Sequence, residues 1–130
     1  MYEKVKNLQT LEEGHQKLNG KLRLEVANIK EELEKLDYIV VPQVGVSGFF
    51  IDLGIKHKSF KYGFLAGIEC DGAAYHSSVS ARDNDIVRQN VLEGLGWNIY
   101  RIWSTNWFQN PQREIKKLDN YLKALIKNLN

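Results

Sequence analysis

Between Tyr62 and Trp103 the hydrophobic pattern changes period twice, and this order constrains the fold more than any other feature of the chain. A β-type run, Tyr62–Cys70, gives way to a segment in which Ile86, Val87, Val91, Leu92 and Leu95 recur at helical spacing, and a second β-type run, Trp97–Trp103, follows. Residues 80–83, SARD, have the form of a capping box with Ser80 as N-cap, and Gly96 supplies the stop. A strand, a helix and a strand joined in this way make a crossover. The two strands are therefore expected to lie parallel in one sheet with the helix across its face.

The flanks extend that unit. Leu22, Val26, Ile29, Leu33 and Leu36 alternate at spacings of four and three, which predicts an amphipathic helix opened by Asn19 and Gly20. Two more β-type runs come next: Tyr38–Val41, stopped by Pro42, and Phe49–His57. Gly45, Ser47 and Gly48 mark the first turn, and His57–Lys61 the second. Asn110 and Pro111 open a last helix with Ile115, Leu118, Leu122, Leu125 and Leu129 as its apolar positions. The order α-β-β-β-α-β-α predicts an α/β fold with a mixed sheet flanked by helices. The chain has 130 residues, enough for one domain. We assign residues 19–130 to that domain. Residues 1–18, with Val5, Leu8, Leu11 and Leu18 around Gly14, read as a helical extension or linker.

Composition removes several classes of function. Hydrophobic residues at 43% and charged residues at 26% are globular values. No apolar run approaches the ~20 residues that cross a bilayer, and the opening MYEKVKNLQTLEEGHQ has no apolar signal-peptide region. A lone cysteine, Cys70, rules out an internal disulfide and leaves zinc without its usual ligands, so a reducing cytoplasm is expected. The net charge of +2 is concentrated in residues 101–130. That excess permits nucleic-acid binding without identifying it.

Acids embedded in apolar strands need a physical reason, and Ile51-Asp52-Leu53 and Ile68-Glu69-Cys70-Asp71 hold three. A hairpin turning around Phe60 and Lys61 places Asp52 opposite Glu69. Like charges so opposed repel, so a cation is expected between them. Asp52, Glu69 and the backbone carbonyl of Cys70 form an oxygen donor set suited to a hard ion such as Mg²⁺ or Mn²⁺. The competing reading is a pair of strand-end acids matched to Lys or Arg. His76 follows four residues after Gly72, and the next helix carries Arg82, Asp85, Arg88 and Gln89 at spacings of three or four along one face, which is either a site wall or a solvated surface.

The segments VPQVGVSGFFIDL and GIECDGAAYHSSVSARDNDIVRQNVLEGLGWNIYRIWSTNW resemble the very-short-patch-repair-like (Vsr-like) branch of the PD-(D/E)XK nuclease superfamily. The likeness is nearest to the restriction-endonuclease-like domain found at the C-terminal end of superfamily-one helicase-like proteins, and it covers roughly residues 22–110. It implies an α-β-β-β-α-β core, DNA as substrate and a helicase module as partner. By this resemblance Asp52 and Glu69 are the metal-binding acids, Asp71 stands where the wider superfamily has lysine, Glu25 matches a helical acid, and Asn84 stands where relatives often have arginine.

The activity implied is metal-assisted phosphodiester hydrolysis. His76 is the first choice for a proton-exchanging donor, with Arg88 and Gln89 as alternatives and Asp71 as a further ligand or partner of the histidine. Lys56, Lys58, Lys61, Arg82, Arg88 and Arg101 are the candidate phosphate contacts. Trp103 and Trp107 have the chemistry to stack on bases, although core packing is the expectation for Trp97 and Trp103.

Overall fold

The computed structural model describes the backbone of residues 20–71 and 79–129 and the side chains of residues 24–70 and 86–129. Helix α1 (Gly20–Lys35) leads into β1 (Ile39–Val46), β2 (Phe49–Lys56) and β3 (Ala66–Asp71). Then come α2 (Val79–Gly94), β4 (Ile99–Trp103), a short α3 (Ser104–Gln109) and α4 (Pro111–Lys127). The strands form one sheet in the order β1-β2-β3-β4. β1–β2 and β2–β3 are antiparallel, and β3–β4 is parallel, as a crossover through α2 requires.

Local chemistry accounts for the joints. Ser47 and Gly48 both take positive φ, 49° and 83°, giving the tight primed turn that closes Val46 onto Phe49. Gly96, at φ 95°, ends α2 with its N–H on the Glu93 carbonyl while Trp97 N–H reaches the Leu92 carbonyl, a Schellman closure. The Asn110 side chain caps α4 by accepting from Arg113 N–H at 3.1 Å.

Several boundaries differ from expectation. Pro42 does not stop β1, because an edge strand tolerates a residue without an N–H. β3 starts at Ala66 rather than Tyr62, and the segment before it is a long turn with Phe60 N–H on the His57 carbonyl. Ser80 lies within α2, which already contains Val79, so it is not the cap. The six residues of α3 are too few to show a period.

The main core lies on one face of the sheet, where Ile29 and Leu33 of α1 and Leu118 and Leu122 of α4 meet Leu53, Ile55, Ile68 and Ile102. The opposite face is covered by α2, and there the expectation is inverted. Leu92 is buried, but Ile86, Val87 and Leu95 are more than half exposed. Side chains alternate along β3, so Ile68 and Cys70 face the core while Gly67 and Glu69 face α2. A buried carboxylate on that face requires a polar partner, and α2 turns Arg88 and Gln89, not Val87 or Val91, towards the sheet.

Candidate active site at the open end of the central hairpin

The β2–β3 ladder runs through Ile55↔Ala66, Gly54↔Gly67 and Leu53↔Ile68, and Asp52 and Glu69 are the residues that follow its last pair. The ladder ends there. Cys70 N–H donates to Asp52 Oδ2 at 2.8 Å, in place of the β2 carbonyl that a continuing ladder would offer. The strands thus part at Asp52, and its half-buried carboxylate bridges the opening.

Glu69 is 3% exposed and turned towards α2, where the Arg88 guanidinium pairs with it. Arg88 also donates to the Phe50 carbonyl, so one side chain ties α2 to both strands that flank the opening. Arg101 is the β4 neighbour of Glu69. Its Nε donates to Gln89 Oε1 at 2.9 Å, and Gln89 Nε2 donates to Glu93 at 2.7 Å. The cation required beside the opposed acids is, for Glu69, an arginine of this chain.

Glu25 is fully buried on the α1 stripe that carries Ile29 and Leu33. Helix α1 runs into β1, whose first residue pairs with Lys56 at the far end of β2. Glu25 precedes the end of the helix by about 15 Å at ~1.5 Å per residue, which sets it towards the Asp52 end of the sheet.

Other candidates lie elsewhere. Lys56 is four residues along β2 from Asp52, roughly 13 Å at ~3.3 Å per residue, and Lys58 and Lys61 are in the turn beyond it. The structure therefore separates these lysines from the carboxylates they were expected to surround. Trp107 is in the core at 3% exposure, and Trp97 stacks on Phe64 with centroids 5.1 Å apart. Trp103, expected in the core, is 41% exposed because it ends β4 where the sheet stops. His76 and the side chains of Asp71, Arg82, Asn84 and Asp85 are outside the described residues.

Among the described residues no three His, Cys, Asp or Glu side chains gather into a metal cluster. A Mg²⁺ site does not need three, since this ion is commonly held by one or two carboxylates and keeps several waters. Asp52, Glu69 and the Cys70 carbonyl, which strand geometry directs to the same edge as its N–H, are a donor set that fits it. Sequence reasoning missed the Arg88–Glu69 contact. Its only signal was the spacing of Asp85, Arg88 and Gln89 along one helix face.

The model of a restriction-endonuclease-like family, REase_MTES_1575, matches residues 26–122, about three quarters of the chain, and spans all four strands. No curated protein and no solved structure gives a significant match.

Proposed function

Since the chain belongs to the restriction-endonuclease-like family REase_MTES_1575, with the α/β fold of that class, we propose that it is a metal-dependent endonuclease domain that hydrolyses DNA phosphodiester bonds where β2 and β3 part. The observation carrying this reading is the interrupted ladder, where the Asp52 carboxylate accepts from the Cys70 amide one residue beyond the buried Glu69. When bound, Mg²⁺ or Mn²⁺ supplies Lewis-acid stabilisation of phosphoryl charge and acidifies the attacking water.

The residues of the chain do the rest. Asp52 and Glu69 present oxygen ligands from two strands, and Arg88 holds Glu69 in one direction while offsetting part of the acidic charge. Arg101, held by Gln89, adds positive charge on the α2 side. We assign His76 to proton exchange and Asp71 to supporting it or the ion. The finer placement we favour is the very-short-patch-repair-like branch, acting in DNA repair, processing or defence with a helicase module.

A specific observation favours a second reading, a catalytically silent DNA- or protein-binding module: Arg88 of the same chain pairs with Glu69 and balances its charge. Cleavage assays over single-stranded, nicked, branched and duplex DNA, with Mg²⁺, Mn²⁺ or EDTA, separate the two. The wild type is expected to cut at least one form, with EDTA abolishing the activity. Asp52→Asn keeps an acceptor oxygen for Cys70 N–H but loses the charge, so it should stay folded and cut roughly 10²–10³-fold more slowly. Equal DNA binding with no cleavage by either protein would establish the silent module.

A further inference from the structure

The turn joining β2 to β3 carries its own chemistry, at the far end of the hairpin from the acids. From Leu53 to Ile68 the sequence LGIKHKSFKYGFLAGI has no acidic residue, yet it holds Lys56, His57, Lys58 and Lys61 interleaved with Phe60, Tyr62 and Phe64. Four surface lysines elsewhere are matched with acids on their own helices, Lys30 with Glu34, Lys35 with Glu31 and Glu32, Lys117 with Glu114, and Lys123 with Asp119, whereas the exposed Lys116 and Lys127 of α4 form no ion pair among the described residues but stand on a helix that also carries Glu114 and Asp119. Among the described residues, Lys58 and Lys61 are exposed and form no ion pair. Tyr62 is 91% exposed, while Tyr38 is buried and Tyr100 and Tyr121 pack at the edge of the core.

The turn that presents these groups is braced. Phe60 N–H donates to the His57 carbonyl at 3.0 Å and Ser59 N–H to His57 Nδ1 at 3.1 Å. The His57 ring lies 5.5 Å from Tyr38. Lys56 sits over the Phe64 ring at 4.9 Å, and Phe60 meets Tyr62 edge-on with centroids 6.2 Å apart. A braced turn has already met most of the ordering cost of binding.

We propose that this turn is a binding site for unpaired nucleotides, with Tyr62 as the platform on which a base stacks and Lys58 and Lys61 as contacts to the flanking phosphates. Tyrosine offers a flat apolar face that any base can cover, and unmatched lysines attract the backbone beside it. In a duplex the faces of the bases are already stacked, so the platform selects single-stranded or splayed DNA. The site needs no metal and stands apart from cleavage. Resting on the proposed nuclease reading, it adds a geometry. The tip is roughly 13–20 Å along the hairpin from Asp52, so a strand following it would place the stacked base a few nucleotides from the phosphate being cut.

The test uses the full chain in EDTA, with single-stranded oligonucleotides carrying 2-aminopurine and the same sequence as a duplex. Wild type should bind the single strand more tightly and quench the unpaired fluorophore. Tyr62→Ala, which removes only the exposed edge contact with Phe60, should keep the melting temperature, lose the quench and weaken single-strand binding roughly 10-fold or more, whereas Tyr62→Phe should retain both. Lys58→Gln with Lys61→Gln should keep the quench and lower the slope of log affinity against log salt by about 0.7 per lysine. Single-strand affinity unchanged within two-fold in Tyr62→Ala, an undiminished quench in that variant, or tighter binding of the duplex by the wild type would each overturn the proposal. Because no step involves cleavage, a protein that stacks the base and never cuts DNA would refute only the nuclease reading.

Discussion

A guanidinium set against a nearly buried carboxylate is held between two large opposing terms, desolvation and attraction, and removing one partner exposes the first. Glu69 has 4% of its side chain exposed and Arg88 20%. Arg88→Gln would leave the carboxylate without its guanidinium and the Phe50 carbonyl without that donor, and should cost about 3–5 kcal/mol in urea unfolding. Combining it with Glu69→Gln should recover a large part of that loss, because the buried charge is then gone. A single mutant within ~1 kcal/mol of wild type would show that the pair contributes little. The same contact reverses an inference from the sequence. Opposed acids alone imply that neutralising Glu69 relieves repulsion, but with Arg88 beside it Glu69→Gln strands a guanidinium and should lower stability.

Strands and helices meet where small residues let them. A Cβ on Gly54 would lie 2.6 Å from Phe64 and 2.7 Å from Val44, and Phe64 is fixed by its stack on Trp97 and by Lys56 above it. Gly54→Ala should therefore destabilise by about 1–3 kcal/mol, visible as a lower urea midpoint, and should disturb the aromatic stack at the base of the turn. A variant as stable as wild type would mean that Phe64 moves freely. Elements of this kind were legible where local chemistry decides them. The turn centre at Phe60 and Lys61 set the β2–β3 register; Gly96 and the Asn110–Pro111 pair set helix ends. What could not be read depends on neighbours distant in sequence. Pro42 is tolerated because β1 is an edge, and Val87 and Val91 of α2 face outward because β3 and β4 present Glu69 and Arg101 to it. Periodicity finds an apolar stripe but does not tell which side the sheet will demand.

At the scale of the molecule, α4 is locked to the rest by apolar burial and by three tyrosines with perturbed ionisation. Burial raises Tyr38 well above the ordinary tyrosine range, and its hydrogen bond to Asp119 on α4, at 2.8 Å, and that carboxylate's charge add to the rise. Burial also raises Tyr100 and Tyr121, whose rings are 4.9 Å apart, with Glu114 and Glu93 respectively adding negative charge nearby. A phenol raised in the folded state keeps its proton to higher pH than in the unfolded chain, where it is lost near pH ~10. Above that pH the unfolded state binds fewer protons than the native state, so stability falls as pH rises. The melting temperature should accordingly hold to about pH 10 and then drop. Tyr38→Phe isolates the largest contributor. At neutral pH it should be less stable by about 1 kcal/mol for the lost hydrogen bond, but it has no proton to lose. The gap between wild type and Tyr38→Phe should therefore close as the pH passes from 9 to 11 in parallel thermal melts, while general alkaline effects act on both proteins alike. A gap that stays constant across that range would mean that Tyr38 ionises equally in both states and that the Asp119 contact does not hold its proton.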